Sequence, residues 1–102
     1  MLSKDILNHK IKVQCGYCGE TIGAFIEYLA SGSDEFYYRG DKTWRIREEY
    51  NLKNNRKWQP AIGHTQNCDE TWTFYETWED LIEQFKFPTG ETLLEYLLSE
   101  ND

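Results

Sequence analysis

Two spacings organise the apolar residues of this chain. Ile22, Phe25, Ile26 and Leu29 fall at i, i+3, i+4 and i+7, which is one stripe of a helix, and Gly32 serves as its stop. Trp78, Leu81, Ile82 and Phe85 repeat that spacing, with Thr77 as an N-cap and Glu79 and Asp80 in the first turn. Pro88 and Gly90 break this helix, and Leu93, Leu94, Tyr96, Leu97 and Leu98 mark a last one from about Glu91 to Leu98. Elsewhere the period is two. Ile11 and Val13 alternate with Lys10, Lys12 and Gln14, which predicts a half-buried strand over 11–14 leading into Cys15. Phe36, Tyr37 and Tyr38, a Gly40-Asp41 turn, then Thr43, Trp44 and Ile46 read as a hairpin. A second β-rich run covers Thr71 to Tyr75. Residues 1–9 read as a polar lead-in, and the Asn-rich, basic stretch "NLKNNRKWQP" as loop.

These elements predict an α+β fold: a small antiparallel β-sheet, one helix after the two N-terminal cysteines and two C-terminal helices. The 102 residues carry no internal repeat or boundary and are expected to form one domain. A chain of this size has a modest core, so a metal or disulfide staple would add to its stability. No apolar run approaches the roughly 20 residues of a membrane span. The segment MLSKDILNHK lacks the apolar core of a signal peptide, so a cytoplasmic location with reduced thiols is expected.

Charge changes the picture because it is segregated. Residues 39–66 hold seven Lys or Arg against three Asp or Glu, whereas residues 67–102 hold one against ten. The net value of −7 therefore conceals a basic middle and an acidic final third. In the middle, Arg39, Lys42, Trp44, Arg45, Arg47 and Trp58 interleave cations with aromatics, as a surface for single-stranded nucleic acid would. In the last third, Glu76, Glu79, Asp80 and Glu83 form the acidic face of a helix, suited to meeting a protein partner. The plainer alternatives are a solvated hairpin with Trp44 in the core, and an ordinary polar helix face.

The sharpest chemical signal is Cys15-Gly-Tyr-Cys18-Gly. Structural zinc takes four thiolate or imidazole ligands in a tetrahedron, and CxxC on a glycine-rich turn supplies two sulfurs on one side. The other cysteine is Cys68, and the histidines are His9 and His64. His64 and Cys68 form an HxxxC pair, so Cys15, Cys18, His64 and Cys68 are the expected Zn2+ ligands, with His9 in reserve for His64. Four protein ligands would close the site and make it structural. The stretch "VQCGYCGETIG" resembles the first knuckle of zinc-ribbon and related zinc-knuckle proteins. That resemblance implies a zinc knuckle clipping strand 11–14 to a turn at 63–69.

A second resemblance competes. "CGYC" is similar to the "CPYC" of glutaredoxins, which implies a thiol oxidoreductase with Cys15 attacking and Cys18 resolving. Pro60 lies where that family places a proline beside its active site. Against it, "KIKVQ" alternates with lysines where a fully buried strand is needed, "AIGHTQNC" is polar, and the apolar residues of 43–53 make no helical stripe. No Ser-His-Asp arrangement or phosphate-cradling loop is visible. The expectation is a non-catalytic, zinc-stabilised interaction protein with a protein partner, one that itself handles nucleic acid or not. In size and charge it resembles small acidic phage-encoded inhibitors, anti-CRISPR proteins among them. Nucleic-acid binding through 39–58 and thiol redox chemistry are the alternatives.

Overall fold

The computed structural model describes residues 2–13, 19–32, 36–41, 43–53, 57–66 and 69–99, with the backbone alone at 65, 66 and 69–71. Of the expected strand 11–14, residues 11–13 form an arm that is not a member of the sheet, and Gln14 lies outside the described residues. Ile11 N donates to Glu20 O and Gly19 N to Ile11 O, each at 2.8 Å, and Ile22 N donates to His9 O at 3.0 Å. Ile11 and Val13 are buried and Lys10 and Lys12 exposed, as the alternation required. Gly19 sits at φ 90°, a left-handed conformation that suits glycine. A short helix precedes the arm, α1 (Lys4–Leu7), capped by the Ser3 hydroxyl, which accepts from Ile6 N. Four residues carry no stripe, so its sequence read as a polar lead-in.

Helix α2 (Ile22–Ala30) follows Thr21, whose hydroxyl accepts from Ala24 N. It buries Ile22, Phe25 and Leu29. Gly23 belongs there because a β-carbon at that position would lie 3.3 Å from the Leu7 carbonyl oxygen, where α1 ends. The next turn is tighter than the expected hairpin. Tyr38 and Asp41 exchange both backbone hydrogen bonds, and the central residues Arg39 (φ 49°) and Gly40 (φ 83°) both have positive φ. The turn is therefore centred on Arg39-Gly40 and not on Gly40-Asp41, with the mirror-image geometry that two-residue turns favour.

The sheet is β1 (Trp44–Asn51), β2 (Lys57–Gln66) and β3 (Asp69–Phe74), antiparallel in that order. Two expectations change here. Lys57 to Pro60, read as loop, open the central strand, and the proposed turn at 63–69 is strand as far as Gln66. Pro60 is tolerated because the β2–β3 ladder ends beside it. Its carbonyl accepts from Tyr75 N at 2.9 Å, and it has no N–H to return. The register pairs Trp44 with His64, Ile46 with Ile62 and Tyr50 with Trp58, which puts all six on one face. Arg45, Arg47, Ala61, Gly63, Trp72 and Phe74 share the other.

Helix α3 (Trp78–Gln84) is capped by Thr77 and buries Leu81 and Ile82. Helix α4 (Leu93–Leu98) starts two residues later than expected because Thr92 and Glu95 form a capping box. Between them Phe85–Thr92 doubles back, with Phe87 N donating to Glu91 O at 2.9 Å. One hydrophobic cluster joins the arm, the three larger helices and the sheet. At its centre Tyr38 stacks on Phe87 with ring centroids 3.6 Å apart, and Trp44 and Tyr96 meet Phe87 edge-on. Among the described residues no helix is long and apolar enough to cross a membrane.

Candidate functional site

Of the expected zinc ligands, Cys15, Cys18 and Cys68 lie outside the described residues, as does Lys42 of the basic set. Among the described residues no three His, Cys, Asp or Glu converge as a metal would need. His64 is described, and its setting bears on whether it suits a metal. It stands on β2 at the rim of the core, its ring edge-on to Trp44 at 4.7 Å. Its Nε2 lies 2.5 Å from Thr43 Oγ1, which is itself 2.5 Å from Asp41 Oδ1. The hydrogen bonds from the Thr43 hydroxyl and backbone N–H hold the Asp41 carboxyl below its usual range, with a smaller lowering from His64 that together outweigh desolvation. An ionised carboxylate only accepts, so Thr43 gives its single proton to Asp41. His64 Nε2 must then carry a proton and donate it to Thr43. In the neutral ring that leaves Nδ1 as the lone-pair nitrogen. A histidine oriented by an N–H bond that runs on to a carboxylate is well prepared to bind a metal through its other nitrogen. A cleft of about 390 Å³ lined by Asp41, Trp44, His64, Pro88 and Thr89 runs beside it. The reserve ligand His9 is half-buried, and its Nε2 has no hydrogen-bond partner among the described residues.

The glutaredoxin-like reading needs a helix N-terminus at the first cysteine to lower its pKa. Here α2 is capped by Thr21, and Gly19 and Glu20 are not helical. The cap falls six positions after Cys15.

The acidic candidates gather at the start of α3. Glu76 is exposed just before the cap, whereas Glu79, Asp80 and Glu83 are half-buried. Glu79 serves the fold, since its Oε2 accepts from the Leu2 backbone N–H at 3.1 Å. From Thr73 to Phe85 the chain contains these four carboxylates and no Lys or Arg.

The basic candidates divide. Arg39 is a structural residue: its guanidinium makes a two-pronged pair with Glu91, 2.8 Å at the closest, and lies over the Tyr38 and Tyr96 rings at 5.7 and 5.4 Å. Trp44 is only 9% exposed and belongs to the core. Arg45 Nη1 approaches the Trp44 carbonyl oxygen. Arg47 pairs with Glu49 and lies 5.0 Å over the Trp72 ring. Trp58 alone of the two candidate tryptophans faces solvent, at 65% exposure.

Other large apolar residues stand exposed beside Trp58 at this end. Leu52 is 73% exposed and Tyr50 41%, and the Tyr50 and Trp58 ring centroids are 5.5 Å apart. Tyr50, Asn51, Leu52, Lys53, Trp72 and Phe74 line a groove of about 570 Å³. Trp72 and Phe74 come from β3, some 20 positions along the chain, and reach the groove only through the β2–β3 register. Comparison with known protein families, with curated proteins and with solved structures gave no match.

Proposed function

We propose that this chain is a non-catalytic binding protein, stabilised by zinc, that meets a macromolecular partner through the outer end of the β1–β2 hairpin. The observation that carries the reading is the exposure of Trp58, Leu52 and Tyr50 together at one end of the sheet. Folding alone gives no reason to leave three large apolar groups in solvent side by side, and tryptophan and tyrosine dominate binding hot spots. Meanwhile the polar clusters elsewhere support the fold: Asp41 orients Thr43 and His64, and Glu91 holds Arg39 and Tyr38.

The zinc part rests on the CxxCG sequence, the left-handed Gly19 directly after Cys18, the hydrogen bonds that pinch Ile11 to Gly19 and Glu20, and the His64 tautomer. Cys15, Cys18, His64 and Cys68 would hold the ion, which would add folding energy and no open coordination position. A second reading, a protein partner on Glu76, Glu79, Asp80 and Glu83, is favoured by the lack of any cation from Thr73 to Phe85.

Affinity capture in the native host decides between the two faces. Leu52→Ser with Trp58→Ser should lose the partners that the wild-type chain retains, and Glu79→Lys with Glu83→Lys should keep them. The opposite result transfers the interface to α3.

A further inference from the structure

We infer that the hairpin end binds single-stranded nucleic acid, by stacking bases on its exposed aromatic rings; this rests on the proposal that the hairpin end is the interface. Three features narrow the occupant. Tyr50 and Trp58, with ring centroids 5.5 Å apart, offer two neighbouring rings on one face of the hairpin end, and Trp72 and Phe74 line the groove from the other face. Every base has a π-face, so such rings accept successive bases with little regard to sequence. The polar groups in the groove suit a nucleotide: the Asn51 side chain, bonded to Gln59 Oε1 at 2.9 Å, lies beside the rings, and Lys53 supplies a cation for phosphate.

Charge complements this chemistry. Residues 44–58 carry five Lys or Arg against two Glu, a local net of +3 in a chain of net −7. A polyanion is therefore attracted to this end and repelled by the acidic final third, so the field orients it as well as holding it. A protein would also bury Leu52 and Trp58. What favours the nucleic acid is the conjunction of exposed ring faces with a local excess of positive charge.

The probe is a fluorescent oligothymidine strand, with a duplex of the same length beside it. The single strand should bind and quench tryptophan fluorescence, and binding should weaken about 7-fold from 50 to 200 mM salt if Lys53 and Lys57 each neutralise one phosphate. Trp58→Ala, an exposed site whose loss leaves the core intact, should weaken binding by about 10-fold or more. Lys53→Glu with Lys57→Glu should weaken it and flatten the salt dependence. No binding by ~100 µM protein at low salt overturns the inference, since even non-specific binders reach that range. Equal binding of the duplex, or full affinity in Trp58→Ala, overturns the stacking geometry. If the oligonucleotide fails while Leu52→Ser with Trp58→Ser still abolishes partner capture, the occupant is a protein and the interface proposal survives alone. If instead wild-type chain self-associates in sedimentation and Trp58→Ser is monomeric, the hairpin end is covered by a second copy and the inference falls.

Discussion

Glu91→Gln tests how the Arg39 turn is held. The Glu91 carboxylate accepts from Tyr38 OH at 2.6 Å, from Arg39 Nε at 3.1 Å and from Arg39 Nη2 at 2.8 and 3.1 Å. Hydrogen bonds to a charged group are worth about 1.5–3 kcal/mol each when well buried. That ceiling does not apply here. The Arg39 side chain is 40% exposed, so water screens the pair and takes over its N–H groups, and such pairs retain about 0–1 kcal/mol. Tyr38 OH keeps Thr89 Oγ1 at 2.8 Å, so it is not orphaned. The amide also puts an NH2 against the guanidinium. The expected loss is therefore ~1–2 kcal/mol at neutral pH, or a fall in Tm of roughly 5–15 °C for a domain near 100 residues. The pH dependence identifies the cause. Burial pushes the Glu91 carboxyl up, but the bonds from Tyr38 and Arg39 and the Arg39 charge outweigh it, so its folded pKa is lowered. A lowered carboxylate stabilises fully above its unfolded value of about 4.3 and loses that stability as pH falls through the folded value. Urea titrations from neutral pH down to about pH 2 should thus show the wild-type advantage shrinking towards zero on the acid side. An advantage that stays constant with pH, or none at neutral pH, refutes the account of this turn as an ionic clasp.

Elemental analysis of protein made in zinc-supplemented medium should give one zinc per chain, and a chelator should unfold it; a cooperatively folded, metal-free chain sinks the zinc reading. Cys68→Ser should lower zinc affinity, and unchanged affinity removes Cys68 from the ligand set. Thr43→Val deletes the hydroxyl that accepts from His64 Nε2–H, so it should cost about 10- to 100-fold in zinc affinity while the chain stays folded at saturating metal. No change there means His64 does not bind through Nδ1. Glutathione-dependent disulfide reduction should be at background, because metal-bound thiolates do not cycle through a mixed disulfide; robust activity lost in Cys15→Ser reverses that expectation.

The three larger helices were legible because each carries its own instructions. The stripes Ile22-Phe25-Ile26-Leu29 and Trp78-Leu81-Ile82-Phe85 face the core, and Thr21, Thr77 and Thr92 all cap through their hydroxyls. The sheet was less legible for a physical reason. The β1–β2 hairpin extends past the part of the sheet that the helices cover, so Lys57 and Trp58 are exposed and feel no pressure to alternate. Asn and Lys composition then imitates a loop. The turn at Arg39 was misplaced by one residue for a non-local reason. Positive φ at an arginine is unfavourable on its own, and here Arg39 N donates to Tyr96 OH while its side chain clasps Glu91, more than 50 positions away.

The two tryptophans of the basic stretch show where sequence stops informing function. Trp44 and Trp58 occupy the same face of the sheet, by the register that pairs Trp44 with His64 and Tyr50 with Trp58. Both sit among cations, and both have the composition of a stacking residue. Their difference is position along the sheet: Trp44 lies under Phe85 and Phe87, which the segment between α3 and α4 folds over it, and Trp58 lies beyond that cover. Coverage depends on how far helices from the last third of the chain reach, and no local pattern encodes it. The same geometry recruits Trp72 and Phe74 to a groove they do not neighbour in sequence. A cation–aromatic stretch therefore predicts a binding surface only after the fold has sorted its aromatics, and in this chain that sorting removes Trp44 and Arg39 and leaves the hairpin end.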